Sequence, residues 1–203
     1  MKDLMAGLDL HSNNIRAGIV DLNGTRLVEK KLDCELPTVL RFLEPYKSRL
    51  DTVAVESTFN WYWLVDGLKA HEFNVVLANP AKIEIYSGLK HSDDKSDAFF
   101  LAELARLKIL PTGYIYAPEL RPVRDLLRRR MSLVQLRTSL LLSFKSLYIR
   151  TTGQKMSSSL FNELDADGLC KLYEHPANQL IALAQKGHME QLDESIDLIE
   201  KMV

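Results

Sequence analysis

Leu4-Met5-Ala6-Gly7-Leu8-Asp9-Leu10-His11, then Ile15-Arg16-Ala17-Gly18-Ile19-Val20-Asp21, then Thr25-Arg26-Leu27-Val28-Glu29-Lys30-Lys31-Leu32 beyond Asn23-Gly24, decide the fold. The first run is almost wholly apolar, as a strand covered on both faces is. The second alternates well enough for a strand. Asn-Gly between two such runs is a hairpin signal, because both residues tolerate positive φ. Three successive strands predict an antiparallel meander. Outward from it, Leu36–Leu50 has helical spacing (Leu36, Val39, Leu40, Leu43, Leu50), with Pro45 placed to end or kink it. Thr52–Val55 predicts a short buried strand. Trp61–His71 predicts a helix with Trp61, Leu64, Val65 and Leu68 on one face. Asn74–Ala78 predicts another strand, closed by Asn79-Pro80. Ala81–Leu89 predicts helix plus loop, and Asp94–Leu107 a helix with Ala98, Leu101, Ala102, Leu104 and Ala105 on its apolar side.

Three strands followed by alternating helix and strand give an α/β fold with a mixed sheet. The ribonuclease H-like (RuvC-like) fold has this order, and so does the actin-like kinase fold. Beyond residue 115 the pattern changes. Pro118–Arg150 predicts one long helix, with Leu120, Leu127, Val134, Leu141 and Tyr148 recurring every seven residues beside Val123, Met131 and Phe144. Such a stripe is coiled-coil-like and implies an apolar partner, including a second copy of the chain. Gly153 breaks the helix. Gln154–Ser159 reads as a polar linker, Leu160–Cys170 and Ala177–Lys186 as short helices around His175-Pro176, and Met189–Met202 as a last amphipathic helix. The chain therefore reads as a catalytic domain over 1–115 and a helical segment over 116–203.

In the 203 residues, 46% are hydrophobic and 26% charged, the balance of a globular protein. No apolar run reaches the roughly 18 residues of a membrane span. The N-terminus lacks the apolar stretch and cleavage site of a secretory signal, so a cytoplasmic location is expected. Cys34 and Cys170 match no metal or redox spacing and are expected to be reduced thiols. The net charge of −1 conceals a division. Residues 1–115 carry 14 basic and 16 acidic side chains, residues 116–155 carry 9 and 2, and residues 156–203 carry 3 and 9. A basic middle between acidic flanks points to a polyanion bound by the middle.

Four carboxylates stand where such a sheet would gather them. Asp9 ends the first strand, and Glu56 ends the fourth in Val53-Ala54-Val55-Glu56-Ser57. Asp94 and Asp97 open the strong helix in Asp94-Lys95-Ser96-Asp97-Ala98, three apart and so on one face. An acid ending an apolar strand is costly unless solvated or holding a cation. Acids converging from two strand ends and a helix suit two hard cations, magnesium or manganese, the arrangement that catalyses phosphoryl transfer. The competing reading makes the helix-start acids caps and dipole partners.

The same residues resemble the DEDD transposases, the Piv-like DNA invertases and transposases of bacterial insertion sequences. The resemblance lies in Gly7-Leu8-Asp9-Leu10-His11, Glu56-Ser57-Thr58, Asn79-Pro80 and Lys90-His91-Ser92-Asp93-Asp94-Lys95-Ser96-Asp97-Ala98, with Leu101-Ala102-Glu103 behind, and covers about residues 4–150. It implies a RuvC-like metal site of Asp9, Glu56, Asp94 and Asp97. It also implies cleavage and transfer of insertion-sequence DNA and, as in some members, a structured guide RNA. Phe59 stands where many members have glycine. Asp93 adjoins Asp94 where members often have threonine, so a ligand at Asp93 is the alternative register. Members continue into a second domain with a serine taken as the DNA-attacking nucleophile. The present sequence stops at Val203 and is expected to lack that domain, and Ser157, Ser158 and Ser159 are not substitutes for the serine.

Arg121, Arg124, Arg128, Arg129, Arg130 and Arg137 on the long helix are the candidate nucleic-acid ligands, since guanidinium groups bind phosphate bidentately. The alternative is a solvated face paired with the acidic C-terminal segment. Trp61, Tyr62 and Trp63 are candidates for base stacking or for the core. Among the histidines, His11 lies near enough to Asp9 to touch the site. Two other functions fit parts of the pattern. A non-catalytic nucleic-acid-binding or assembly module would use the basic helix but not four carboxylates. An actin-like kinase would need a glycine-rich phosphate loop, whereas Asp9-Leu10-His11-Ser12-Asn13 has no glycine.

Overall fold

The computed structural model describes residues 2–83 and 96–203. The chain divides into two compact units, residues 1–115 and 116–203.

In the first unit, β1 (Leu4–Leu10), β2 (Asn14–Asp21) and β3 (Arg26–Asp33) form the antiparallel meander. The helix α1 (Leu36–Leu43) follows and stops at a short 3-10 turn, Glu44–Tyr46, where Pro45 has no N–H to continue the ladder. Next come β4 (Leu50–Glu56), α2 (Tyr62–Ala70), β5 (Val75–Ala78), α3 (Pro80–Ile83), α4 (Ser96–Arg106) and the two-residue β6 (Thr112–Gly113). The sheet order is β3-β2-β1-β4-β5-β6. β4 lies parallel to β1, and β5 parallel to β4. Within β1–β5 only β2 runs against the rest, which is the ribonuclease H-like arrangement, extended here by β6. The expected helix plus loop over 81–89 begins in α3, and its remainder lies outside the described residues.

The two sheet faces carry different cores. Leu4, Ala6, Leu8 and Leu10 point with Ile15, Ala17, Ile19, Val53 and Val55 toward α1 and α2. The opposite face holds α4. Met5 and Val20 pack on Phe99 and Ala102, and Ala54 and Ala78 pack on Leu101. Gly7 and Gly18, opposite each other in the β1–β2 ladder, lie under this helix. Strand glycines of this kind mark a close backbone approach.

In the second unit, a 3-10 turn (Pro118–Leu120) leads into α5 (Arg121–Thr152), followed by α6 (Ser158–Glu163), α7 (Ala166–Lys171) and α8 (Pro176–Glu200). Gly153, at φ 70°, ends α5 in the left-handed conformation that glycine adopts without cost. The serine run departs from the linker expectation. Ser157 is the N-cap of α6, its Oγ accepting from the Leu160 N–H at 3.1 Å. The helix expected over 160–170 is divided because Asp165 caps a new one, accepting from the Gly168 N–H at 2.7 Å. The last two expected helices are one, α8, which passes through Gly187 without a break.

α5 and α8 pair antiparallel, since Arg130 meets Glu200, Arg137 meets Asp193 and Ser143 meets Gln185. Steps of six to eight residues, about two helical turns, keep these contacts on one seam of both helices. Phe144, Leu147, Tyr148, Phe161, Leu169, Tyr173, Ala182 and Met189 form the core at one end. The heptad stripe of α5 thus finds part of its partner within the chain. At its N-terminal end Leu120, Val123, Leu127 and Met131 remain exposed. Among the described residues no helix is long and apolar enough to cross a membrane. Cys34 and Cys170 are free, and burial pushes the Cys34 thiol up from its usual range.

Candidate functional site

The site grows from the parallel pairing of β1 with β4. The register ends at Leu8 opposite Val55, so the next residues, Asp9 and Glu56, leave adjacent strands side by side. Neighbouring strands lie about 4.8 Å apart, and paired residues point to the same face. That face is the one α4 covers. Asp9 follows Gly7 by two residues, Glu56 follows Ala54 by two, and both of those residues lie against α4. Ala98 and Ala102 stand over Gly7, while Ala102 also packs with Met5. The helix therefore runs antiparallel to β1 and starts at the Asp9 end. Asp97, half-buried in its first turn, precedes the residue seated on Gly7. Asp94 and the alternative Asp93 lie outside the described residues.

Asp9 is only 4% exposed. Its carboxylate meets the His11 ring, Nε2 to Oδ2 at 3.0 Å. Arg16, its partner in the β1–β2 ladder, donates instead to Glu29 at 3.0 Å. A nearly buried acid facing a half-exposed imidazole, in a site whose other groups are acids, is a hard-oxygen donor suited to magnesium or manganese. Glu56 and Asp97 have the same chemistry. Among the described residues no three ligating groups come together closely enough to hold an ion.

The loop after Glu56 is braced. The Ser57 N–H donates to Ala78 O at 3.0 Å and the Thr58 N–H to Glu56 O at 2.9 Å. Phe59, where glycine is common in the resembling family, projects outward at 83% exposure. Trp61 is buried, and Tyr62 and Trp63 pack partly on the same core, so that aromatic cluster serves packing. Two features are not visible in the sequence: the glycine seat of α4 and the hydrogen bond from Asn60 Nδ2 to His11 O at 3.2 Å. Glycine in an apolar strand was the available signal for the first.

The six arginines of α5 divide by environment. Arg121 is buried, its Nε donating to Tyr116 O at 2.9 Å, and secures the start of the helix. Arg124 lies over the Tyr116 ring at 4.9 Å and also meets Asp125 at 3.2 Å. Arg130 Nε donates to Glu200 at 2.7 Å, and Arg137 Nη2 to Asp193 at 2.9 Å. Arg128 and Arg129 stand exposed. The acidic C-terminal segment therefore neutralises part of the basic helix, as the salt-bridge alternative expects. Tyr116, Leu120, Val123, Arg124, Leu127, Arg128 and Met131 border an open groove of about 690 Å³.

Among solved structures, T. thermophilus RuvC in complex with Holliday junction substrate is similar over 55% of this chain and 99% of that one, with 16% identity and a TM-score of 0.41. No curated protein matches the sequence. The IS110-type DEDD profile, described as a transposase, matches residues 6–151, which include both strand-end acids, the α4 start and nearly all of α5. The chain belongs to the DEDD transposase family.

Proposed function

We propose that this chain provides the carboxylate site and a phosphate-tracking helix for metal-dependent cleavage and transfer of insertion-sequence DNA. The observation that carries the reading is the adjacency of Asp9 and Glu56 on the sheet face over which α4 carries Asp97 in its first turn. Asp9, Glu56, Asp94 and Asp97 would hold the ion or ions. Bound magnesium or manganese supplies positive charge to the phosphate oxygens between which the bond is exchanged. The chain's own contribution is orientation. The strand ladders fix the two acids, Gly7 admits the helix that carries the third, and His11 holds the Asp9 carboxylate in one direction. Arg128 and Arg129 offer guanidinium groups to the DNA backbone, and Phe59 offers an aromatic face to an unpaired base. A structured guide RNA would be drawn to the same cationic face, and a second copy of the chain is the further partner proposed for the exposed end of the α5 stripe.

The test is nicking of labelled DNA carrying insertion-sequence ends by this protein, with magnesium or manganese titrated in. Asp9→Asn and Glu56→Gln should each lower the rate by at least about 10²-fold, the scale of losing one group that supports transition-state charge stabilisation. Asp94→Asn and Asp93→Asn compared side by side assign the ligand register. Unchanged cleavage in Asp9→Asn would leave only the nucleic-acid-binding role.

A further inference from the structure

The strand ladders hold each acid to its outer neighbour. β1 stays paired with β2 through Leu10 opposite Ile15, and β4 with β5 through Glu56 opposite Ala78. Between β1 and β4 the ladder stops at Leu8 and Val55, one residue short of Asp9 and Glu56. The two chain exits then diverge, one into the His11–Asn13 turn and the other into the loop Ser57–Asn60. Asn60, half-buried, spans the gap. Its Nδ2 donates to His11 O at 3.2 Å, and its Oδ1 accepts from Thr58 Oγ1 at 2.9 Å. The orientation of the amide follows from its partners. A main-chain carbonyl can only accept, so Nδ2 must face His11, which leaves Oδ1 for the threonine proton.

We propose that Asn60 is a positioning residue of the carboxylate site: its amide ties the loop leaving Glu56 to the turn leaving Asp9 and so sets the His11 ring against Asp9. The hydrogen bonds form a continuous path. Thr58 N–H donates to Glu56 O, Thr58 Oγ1 to Asn60 Oδ1, Asn60 Nδ2 to His11 O, and the His11 ring meets Asp9 Oδ2. The His11 main chain is fixed from two further sides. Its N–H donates to Asn14 O at 2.9 Å, and Cys34 Sγ approaches its carbonyl at 3.6 Å. A group held this way orients a carboxylate as outer partners orient metal ligands, where their loss typically costs about 10- to 100-fold in metal affinity or activity. The consequence for metal rests on the function proposed above, whereas the clamp itself does not.

The experiment uses the 203-residue chain with two variants. Asn60→Ala removes both hydrogen bonds. Asn60→Asp keeps the shape but turns an oxygen toward the His11 carbonyl, which guards against a failure to fold in the first variant. Manganese binding is followed by electron paramagnetic resonance, and the His11 ring by nitrogen-15 NMR, assigned with His11→Gln. Both variants should move the His11 ring resonances, weaken manganese binding about 10-fold or more, and leave the circular dichroism spectrum unchanged. Unmoved His11 resonances in a folded variant overturn the proposal, as does parental manganese affinity. If Asp9→Asn binds manganese as the parent does, the metal reading fails instead, and the His11 resonances alone decide the clamp.

Discussion

Gly7 lies directly beneath the main chain of Ala98: a Cβ at Gly7 would come within 1.9 Å of the Ala98 carbonyl oxygen. The obstruction is backbone, so no rotamer change relieves it. The helix would have to lift from the sheet, and Asp97, one residue before Ala98, would move with it.

Gly7→Ala should therefore destabilise the chain by about 3 kcal/mol, the upper end of overpacking costs. Gly18→Ala, which would meet the Phe99 ring at 2.9 Å and the Phe99 main-chain nitrogen at 3.2 Å, should cost less, about 1–2 kcal/mol, because the ring can shift and the backbone needs to give by only a few tenths of an ångström. Gly187→Ala should do the reverse. It lies inside α8 with open space around it, so alanine should add about 0.5–1 kcal/mol. Urea unfolding midpoints of the three variants check the order. Equal midpoints for Gly7→Ala and Gly187→Ala would contradict the seat.

The arginines of α5 should separate into two groups. Replacing Arg128 and Arg129 together should weaken DNA binding regardless of sequence. It should flatten the slope of log affinity against log salt by about 0.9 for each phosphate no longer neutralised. Arg137→Ala should act first on stability, lowering it by less than about 1 kcal/mol, because its partner Asp193 is a partly solvated acid. Salt-dependent binding isotherms beside thermal melts distinguish the groups. An unchanged slope in the double variant would mean that those cations are merely solvated.

Acid should loosen the corner where α4 ends. The Arg106 guanidinium holds the Glu103 carboxyl below the usual glutamate range, and Arg106 also donates to Leu22 O at 3.0 Å. The N–H groups of Thr25 and Asn23 hold Asp21 low as well. Carboxyls lowered on folding contribute stability above their unfolded values, and that stability is lost as pH falls through the folded ones. The parent should lose stability progressively below about pH 4.5, starting near the ordinary carboxylate values. Glu103→Gln should be less stable at neutral pH but show a shallower acid decline. Unfolding free energies measured between pH 7 and pH 3 would show it, and parallel curves would remove Glu103 from the account.

The order of elements from β1 to α4, the meander, the β1–β4–β5 core and the long basic helix were legible in the sequence. They rest on local period and turn chemistry: the continuous apolar run of β1, Asn23-Gly24 between β2 and β3, and the breaks at Pro45 and Gly153. The two strand-end candidates, Asp9 and Glu56, stood out for the same reason, since an acid closing an apolar strand is conspicuous without coordinates. Tertiary structure alone decided what depends on register and on distant neighbours. That β1 and β4 pair so that Asp9 and Glu56 emerge together is a long-range choice. So is the use of Gly7 and Gly18 as a helix seat, because a glycine's neighbours are invisible until another element lies on it. The arginines show the same limit. One-dimensional charge counting cannot tell exposed Arg128 from buried Arg121 or from Arg137 facing Asp193, because pairing across two antiparallel helices joins residues 56 positions apart.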